Sequence, residues 1–284
     1  MEEIKIRQNE SKMLKYQFTA RYKYNLAEKI NSAVWFIAIT TALLAFIPNL
    51  EDISWFTPIP IIADIIMFIL CYICNKFVQD AADLREMFDD YVLGFNDSNI
   101  DLKRRNQLNE IVTVTIKRHK AKAEIQMNTS GNDTPPGVKE WYEFPDSQNV
   151  SNPILFCLKQ NMWWTNKMLI AKCALFLIEA IILIALVLIV ILISDISSVE
   201  KIICLLGFVI KTIDRAIAVV RYCVCCLKTI GAIEIQDNNC NKDTLAKMQK
   251  DINKLRTIPI LGKNIFHQKL AKKLSQHFKE SIEA

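Results

Sequence analysis

The sequence predicts an all-α membrane protein, with four transmembrane helices paired as two hairpins and helical cytoplasmic central and C-terminal regions. Three observations lead to this prediction. Of the 284 residues, 51% are hydrophobic and 23% are charged, yet the charged residues avoid a few long windows. Those windows approach the ~20 apolar residues that a helix needs to cross a bilayer. Lys and Arg collect between the windows, as is typical of cytoplasmic segments.

The first hairpin is predicted over residues 30–74, after a cytoplasmic N-terminal helix in residues 1–29. Its spans are Ile30–Ile47 and Ile59–Cys74. The link between them, Pro48–Pro58, is short and carries acidic residues but no Lys or Arg. This composition is typical of the outer tip of a membrane hairpin.

The second hairpin is predicted over residues 168–223. Its first span, Cys173–Ser194, contains an unbroken apolar run, which offsets the insertion cost of one acidic residue near its start. Its second span, Ser197–Cys223, is apolar as far as Ile210 and then meets charged residues. Either this span crosses fully with a polar stripe on one face, or it ends near Ile210 and the stripe is cytoplasmic.

The distribution of basic residues predicts the orientation. Of 35 Lys and Arg residues, seven lie in residues 1–29, twelve in 75–167 and twelve in 221–284. The positive-inside rule therefore places both termini and the central region in the cytoplasm. The charged N-terminal stretch has no apolar core, so no secretory signal peptide is expected there.

The cytoplasmic central region (75–167) and the C-terminal region (224–284) are predicted to be helical from their apolar periodicity. The predicted helices are Lys76–Phe95, Leu108–Met127, one that runs from Pro153 into the third span, Asp243–Ile258 and Asn264–Ile282. The β-branched stretch IVTVTI, inside the second of these, could instead form a short strand.

Charged residues inside the spans are the candidates for a pore or a gate, because such residues face a bundle interior or water rather than lipid. These candidates are Asp64, Glu179, Lys211, Asp214 and Arg215. Stepping 100° per residue places the last three on one helix face. Helix–helix hydrogen bonds, or closeness to the membrane surface, are the alternative roles.

Two basic clusters lie in the central region, and nearby aromatic residues accompany them. The candidate ligand-binding residues are Lys103, Arg104, Arg105, Lys117, Arg118, Lys120, Trp141 and Tyr142. Lys and Arg bind phosphate oxygens, and aromatic rings stack on bases. The alternatives are contacts with the inner leaflet, a solvated helix surface or an aromatic belt.

Neither a metal site nor a cofactor site is expected. Cys71 and Cys74 have CxxC spacing, and Cys223, Cys225 and Cys226 form a cluster, but both groups lie at apolar helix ends. Packing at the membrane boundary is the favoured role for these thiols. Signatures of common catalytic sites are lacking, so the sequence predicts that the protein is not an enzyme.

A Gly-Val-x-x-Trp-Tyr element, followed by a Cys-x-x-x-Asn-x-Trp-Trp helix before the third span, carries a family resemblance. The residues concerned are Gly137, Val138, Trp141, Tyr142, Cys157, Asn161, Trp163 and Trp164. With this motif, the length and the four-span plan, the chain resembles the SMODS-associating four-transmembrane effectors of cyclic-oligonucleotide-based antiphage signalling (CBASS).

The resemblance implies a multi-pass protein of the bacterial inner membrane that binds a cyclic oligonucleotide made by a partner synthase. Binding would drive oligomerisation or opening, and permeabilisation would then cause abortive infection. No DNA or RNA polymer is an expected partner. A housekeeping channel or transporter subunit, and a membrane scaffold for a defence enzyme, are the alternatives.

Overall fold

A computed structural model describes residues 1–44, 58–95, 100–145, 150–193 and 199–260. The helices in these ranges are α1 (Glu2–Gln8), α2 (Ser11–Leu44), α3 (Pro58–Leu93), α4 (Leu102–Arg118), α5 (Lys120–Asn128), α6 (Pro153–Ile193), α7 (Val199–Glu234) and α8 (Lys242–Arg256). No β-strand occurs in these ranges, only an isolated bridge between two loop residues. The prediction of an all-α fold is confirmed.

Helices α2 and α3 form a long antiparallel pair. Lys23 of α2 bonds to Asp80 of α3 at 3.0 Å, and the Cys74 thiol donates to the Ala27 carbonyl at 3.4 Å. The first half of α3 exposes Ile and Phe side chains, whereas its second half is buried on almost every side. The predicted second span and the helix predicted after it form one continuous helix, which ends before Gly94, whose φ is 72°.

Helices α6 and α7 form a second antiparallel pair. The Cys173 and Cys223 sulfurs lie 3.7 Å apart, and Glu179 faces Arg215 further along. Asn152 caps α6 by accepting the Leu155 N–H at 3.1 Å, directly before Pro153 in the first helical turn. The predicted helix from Pro153 into the third span is therefore one uninterrupted helix.

Two of the described helices are long and apolar enough to cross a membrane, namely Pro58–Leu93 and Pro153–Ala185. They contain the predicted second span and most of the third. Helices α2 and α7 do not meet that criterion in the part of the chain described, so the number of four spans stays a prediction. Most of both predicted hairpin links lies outside the described residues, and the predicted domain boundaries also stay predictions.

A buried core joins one end of both helix pairs to α1, α4, α5, α8 and the segment between α5 and α6. The predicted helix Leu108–Met127 is instead two helices that break at His119, and IVTVTI is helical because Val112 and Thr115 recur on the buried face. Helix α8 agrees with the predicted Asp243–Ile258. The predicted helix Asn264–Ile282 lies outside the described residues.

Candidate functional site

The second half of α3 carries an unusual set of buried charges. They are Asp80, Asp83, Arg85, Asp89 and Asp90, each at most 8% exposed. Charged side chains are almost never buried this deeply unless they are paired. The sequence predicted no site at these residues. The stretch QDAADLREMFDD did contain a signal. Its charged residues fall on all sides of a helix, so some of them have to face the protein interior.

Asp89 is the centre of a buried hydrogen-bond network. The Tyr142 hydroxyl donates to Asp89 Oδ1 at 2.7 Å, and Gln249 Nε2 donates to Asp89 Oδ2 at 2.9 Å. Arg256 completes the set with an ion pair to the same carboxylate. Asn161 Nδ2 donates to the Tyr142 oxygen at 3.0 Å, so the network joins α3, α6, α8 and the segment before α6.

Burial shifts the acidities of groups in this network. Burial, together with the negative charge of Asp89, raises the pKa of the Tyr142 hydroxyl well above its ordinary value, so this group stays a donor. Burial also raises the pKa of the Asp90 carboxyl to about 8, with further contributions from Glu86 and Asp89. Asp90 is therefore mostly neutral at pH 7, whereas Asp89 is matched by Arg256.

The Gly-Val-x-x-Trp-Tyr element has a structural reason for its glycine. A Cβ atom at Gly137 would lie 1.9 Å from the Thr129 carbonyl oxygen. The next N–H, from Val138, donates to the Gln126 carbonyl at 2.8 Å, and its side chain is 1% exposed. The element is thus folded tightly onto the end of α5, which fixes the position of the following Trp-Tyr pair.

Trp141 and Tyr142 point to different partners. Trp141 stacks on the guanidinium of Arg85, with Arg85 Cζ 3.8 Å from the ring centroid. Tyr142 is 2% exposed and binds Asp89 through its hydroxyl, while its backbone bonds twice to the Gln8 side chain. Tyr142 is therefore a core residue of the network, and Trp141 covers a buried cation.

The helix part of the motif lies in the first four turns of α6. Cys157 is fully buried, and Asn161 binds Tyr142 as described above. The Trp163 and Trp164 rings meet edge to face at 5.7 Å, and the Lys167 ammonium lies 5.5 Å from the Trp163 ring centroid. The two halves of the motif thus meet at the hydroxyl of Tyr142.

The structure separates the members of the two basic clusters. Arg104 is engaged inside the protein, because it bonds to Asp83 at 2.7 Å and to Asp80 at 2.8 Å. The other members are exposed on α4 and α5, and they are Lys103, Arg105, Lys117, Arg118 and Lys120. A ligand-binding role for these residues stays a prediction, and the pairing of Arg104 gives that residue a structural role.

Four of the five charged candidates for a pore or a gate lie where α3 and α6 contact one face of α7, and the fifth, Asp214, is next to them but 68% exposed; we term this group the polar seam. It comprises Asp64, Glu179, Lys211, Asp214 and Arg215 together with Gly207 and Cys71. A Cβ at Gly207 would lie 2.1 Å from Asp64 Oδ1, so this glycine admits the carboxylate. The rise from Gly207 to Arg215 is about 12 Å.

Ion pairs hold the polar seam at its inner end. Lys211 Nζ lies 3.5 Å from Asp214 Oδ2 and 3.7 Å from Cys71 Sγ, while Arg215 Nε lies 3.4 Å from Glu179 Oε2. The opposite face of α7 exposes an apolar stripe, and this stripe continues past Arg215. Its members are Ile210, Ile213, Ile217, Val220, Val224 and Leu227.

A small cavity beside the polar seam lies between α2, α3, α7 and the segment after α8. Asn31, Asn75, Lys211 and Asp214 are among its lining residues, and its volume of about 20 Å³ holds about one water molecule. In the described ranges, no three His, Cys, Asp or Glu side chains converge in a way that could bind a metal. The absence of a metal site and of catalytic activity stay predictions.

Apolar helices that continue without interruption into a buried polar network define a membrane protein whose predicted spans and buried core share the same helices. A family model described as the SMODS-associating 4TM effector domain matches residues 2–284, and the chain belongs to this family. The family resemblance is confirmed, and it makes the chain a CBASS-associated membrane effector linked to SMODS-type cyclic-oligonucleotide synthase systems. Comparisons with curated proteins and with solved structures gave no match.

Proposed function

We propose that this protein binds a cyclic oligonucleotide and then permeabilises the bacterial inner membrane, which halts an infected cell. A partner synthase supplies the nucleotide. The protein has four spans with both termini in the cytoplasm, acts as a homo-oligomer, and requires neither catalysis nor a cofactor.

The polar seam is the observation that carries this proposal. Several charged side chains at membrane depth are costly unless they serve a function, since a single central charge costs about 2.5–3.5 kcal/mol on insertion scales. Here four of the five lie where α3 and α6 contact α7, and Asp214 beside them is exposed, while large apolar side chains cover the opposite face of α7. Such a face becomes the wall of an aqueous path when neighbouring helices move apart.

Helix continuity supports a coupling between ligand binding and the spans. Helices α3 and α6 both run from the predicted spans into the Asp89 network without a break. A ligand that changes the packing of this network therefore moves both helices as rigid levers. It must bind the open state more tightly than the resting state, because equal affinity for both would shift nothing.

The size of the cavity beside the polar seam supports an oligomeric opening. A volume of about 20 Å³ has no room for a hydrated ion. One chain therefore has to rearrange or to join other copies before a conducting path exists. Several copies with their polar seams turned inward would provide a path without exposing any charge to lipid.

A liposome experiment tests the proposal. Vesicles that contain the purified protein and a trapped dye are exposed to a panel of cyclic di- and trinucleotides. One member of the panel is expected to cause leakage, and protein-free vesicles are expected to stay intact. Leakage that is independent of every nucleotide indicates a constitutive channel, and binding without leakage indicates a scaffold; either result contradicts the proposal.

A matched pair of variants on α7 tests the polar seam. Lys211→Met removes a charge that is 13% exposed and paired with Asp214, whereas Lys228→Met makes the same change at an exposed position. The first variant is expected to lose leakage while it retains nucleotide binding, and the second is expected to behave as the wild type. Equal leakage from both variants would exclude the seam as the path.

A further inference from the structure

Arg85 is a buried arginine whose guanidinium has few partners. Its side chain is 8% exposed, and its Nε and Nη1 atoms have no hydrogen-bond acceptor within the described ranges. Its clearest contact is the face of Trp141, 3.8 Å from Cζ. Burial, with the nearby charge of Arg256, lowers the pKa of Arg85 to about 10, so it remains charged at neutral pH. An uncompensated buried charge is strongly unfavourable unless a ligand completes its surroundings.

The surroundings of Arg85 carry an excess of positive charge. Arg21 and Arg256 both act on it electrostatically. The carboxylate that acts on Arg85 is that of Asp89, and it is already bonded to Arg256, Gln249 and Tyr142. The guanidinium group of Arg85 would therefore be complemented by an anionic ligand.

We propose that Arg85, with Arg21 beside it, binds a phosphodiester group of the cyclic oligonucleotide, and that the ring of Trp141 stacks on one of its bases. This assignment rests on the proposed function. Guanidinium groups bind phosphate oxygens through two parallel N–H bonds, and aromatic side chains stack on bases without regard to sequence. The site differs from the exposed basic clusters on α4 and α5.

Phospholipid headgroups carry the same phosphate chemistry, but the position of Arg85 favours a soluble ligand. The predicted span ends at Cys74, and an α-helix rises 1.5 Å per residue, so Arg85 lies about 16 Å further along α3. The headgroup layer on each side of a bilayer is only about 5–8 Å thick. A side chain at this height therefore lies beyond the headgroups.

A ligand reaches Arg85 by displacing the contacts of Arg21 and the ring of Trp141. Arg21 Nη1 now donates to the carbonyl oxygens of Pro136 and Gly137, both at 3.0 Å. A phosphate that competes for Arg21 releases these two carbonyls and thereby loosens the segment that carries Trp141. Trp141 itself is only partly buried, so its ring can leave Arg85 without unfolding the core.

The same segment transmits binding to the membrane. Glu140, next to Trp141, has a φ of 55°, a backbone conformation that is strained for a residue other than glycine. Tyr142 follows directly and bonds to Asp89 on α3 and to Asn161 on α6. Movement of the segment therefore acts on both helices that continue into the spans.

Calorimetric titration of the full chain in detergent tests the site. Arg85→Met removes the charge but keeps much of the volume, and Lys247→Met makes the same type of change on the exposed face of α8. The wild type is expected to bind one member of a cyclic di- and trinucleotide panel. Arg85→Met is expected to bind it about tenfold more weakly or worse, because a charged hydrogen bond is lost, while Lys247→Met binds as the wild type does.

Thermal unfolding without nucleotide separates a ligand site from a structural role. If Arg85 is a ligand-binding residue, Arg85→Met is expected to melt at the same temperature as the wild type or at a higher one. A lower melting temperature, or failure to fold, would show that the guanidinium supports the fold and would overturn the site. Trp141→Leu provides a second variant, and unchanged nucleotide binding by it would also overturn the site.

The remaining outcomes distinguish a failure of the Arg85 site from a failure of the proposed function. If the wild type binds no nucleotide of the panel, the proposed function fails. If the wild type and Arg85→Met bind equally well, the site is wrong and the function stands. Vesicles of anionic phospholipid form a further arm: an Arg85→Met variant that loses only vesicle binding would identify a headgroup site and overturn the nucleotide assignment.

Discussion

Replacement of Tyr142 by Phe removes a single oxygen atom at the point where the two halves of the family motif meet. That hydroxyl donates to Asp89 at 2.7 Å and accepts from Asn161 at 3.0 Å, and the residue is 2% exposed. A hydrogen bond to a charged group contributes about 1.5–3 kcal/mol, and one between neutral groups about 0.5–1.5 kcal/mol. We expect the variant to lose about 2–4 kcal/mol of unfolding free energy.

Thermal unfolding in detergent measures this loss. At 2–4 °C per kcal/mol for a domain of this size, the melting temperature is expected to fall by roughly 5–15 °C. Tyr91→Phe is the matched control, because the Tyr91 hydroxyl also bonds to a carboxylate, that of Glu10, but in an exposed position. A control shift of more than a few degrees would indicate a general effect of the Tyr→Phe change.

A double-mutant cycle then tests whether Tyr142 acts through Asp89. Asp89→Asn and Tyr142→Phe are expected to show a coupling energy of about 1 kcal/mol or more, since contacting residues in one network do not behave additively. Additive effects, or a Tyr142→Phe variant as stable as the wild type, would refute the network as the link between α3 and α6.

Three further predictions concern other parts of the chain. Gly137→Ala is expected to cost about 3 kcal/mol or more, because its Cβ would overlap a backbone oxygen, whereas Gly131→Ala has open space and should be neutral in the same thermal assay. Burial and acidic neighbours raise the pKa of Asp90 to about 8, so its contribution to the free energy of unfolding is present at low pH and is lost as the pH rises toward 8. The melting temperature should therefore fall over this pH range, and Asp90→Asn should make it depend less on pH. Oxidative cross-linking of Cys173 to Cys223, which lie 3.7 Å apart, should block nucleotide-dependent dye leakage until the bond is reduced; leakage that persists in cross-linked protein would show that α6 and α7 stay together during opening.

The sequence predicts most of the helices because their signals are local. Apolar runs, the proline that begins α6 and the glycine that follows α3 each act within a few residues of themselves. The polar face of α7 was also predictable, since helical periodicity alone separates Lys211 and Arg215 from the apolar stripe. The break at His119 was not, because the periodicity of α4 and α5 continues across it.

The buried network escaped prediction because its partners come from distant parts of the chain. Asp89 bonds to residues at positions 142, 249 and 256, and nothing near it in sequence indicates this pairing. Likewise, the basic cluster of Arg104 resembled a solvated surface, although tertiary contacts bury its bonds to Asp80 and Asp83. The motif residues Trp141 and Tyr142 were identified, but their separate partners depend on the fold.

Conductance across a planar bilayer tests the central claim most directly. The purified protein is added alone, then with each member of a panel of cyclic di- and trinucleotides, and the current is recorded at fixed voltage. We predict no current from the protein alone, a current with one cyclic nucleotide, and loss of that current in the Lys211→Met variant but not in Lys228→Met. A bilayer that carries no current with any nucleotide, or one that carries the same current without nucleotide, would contradict the account.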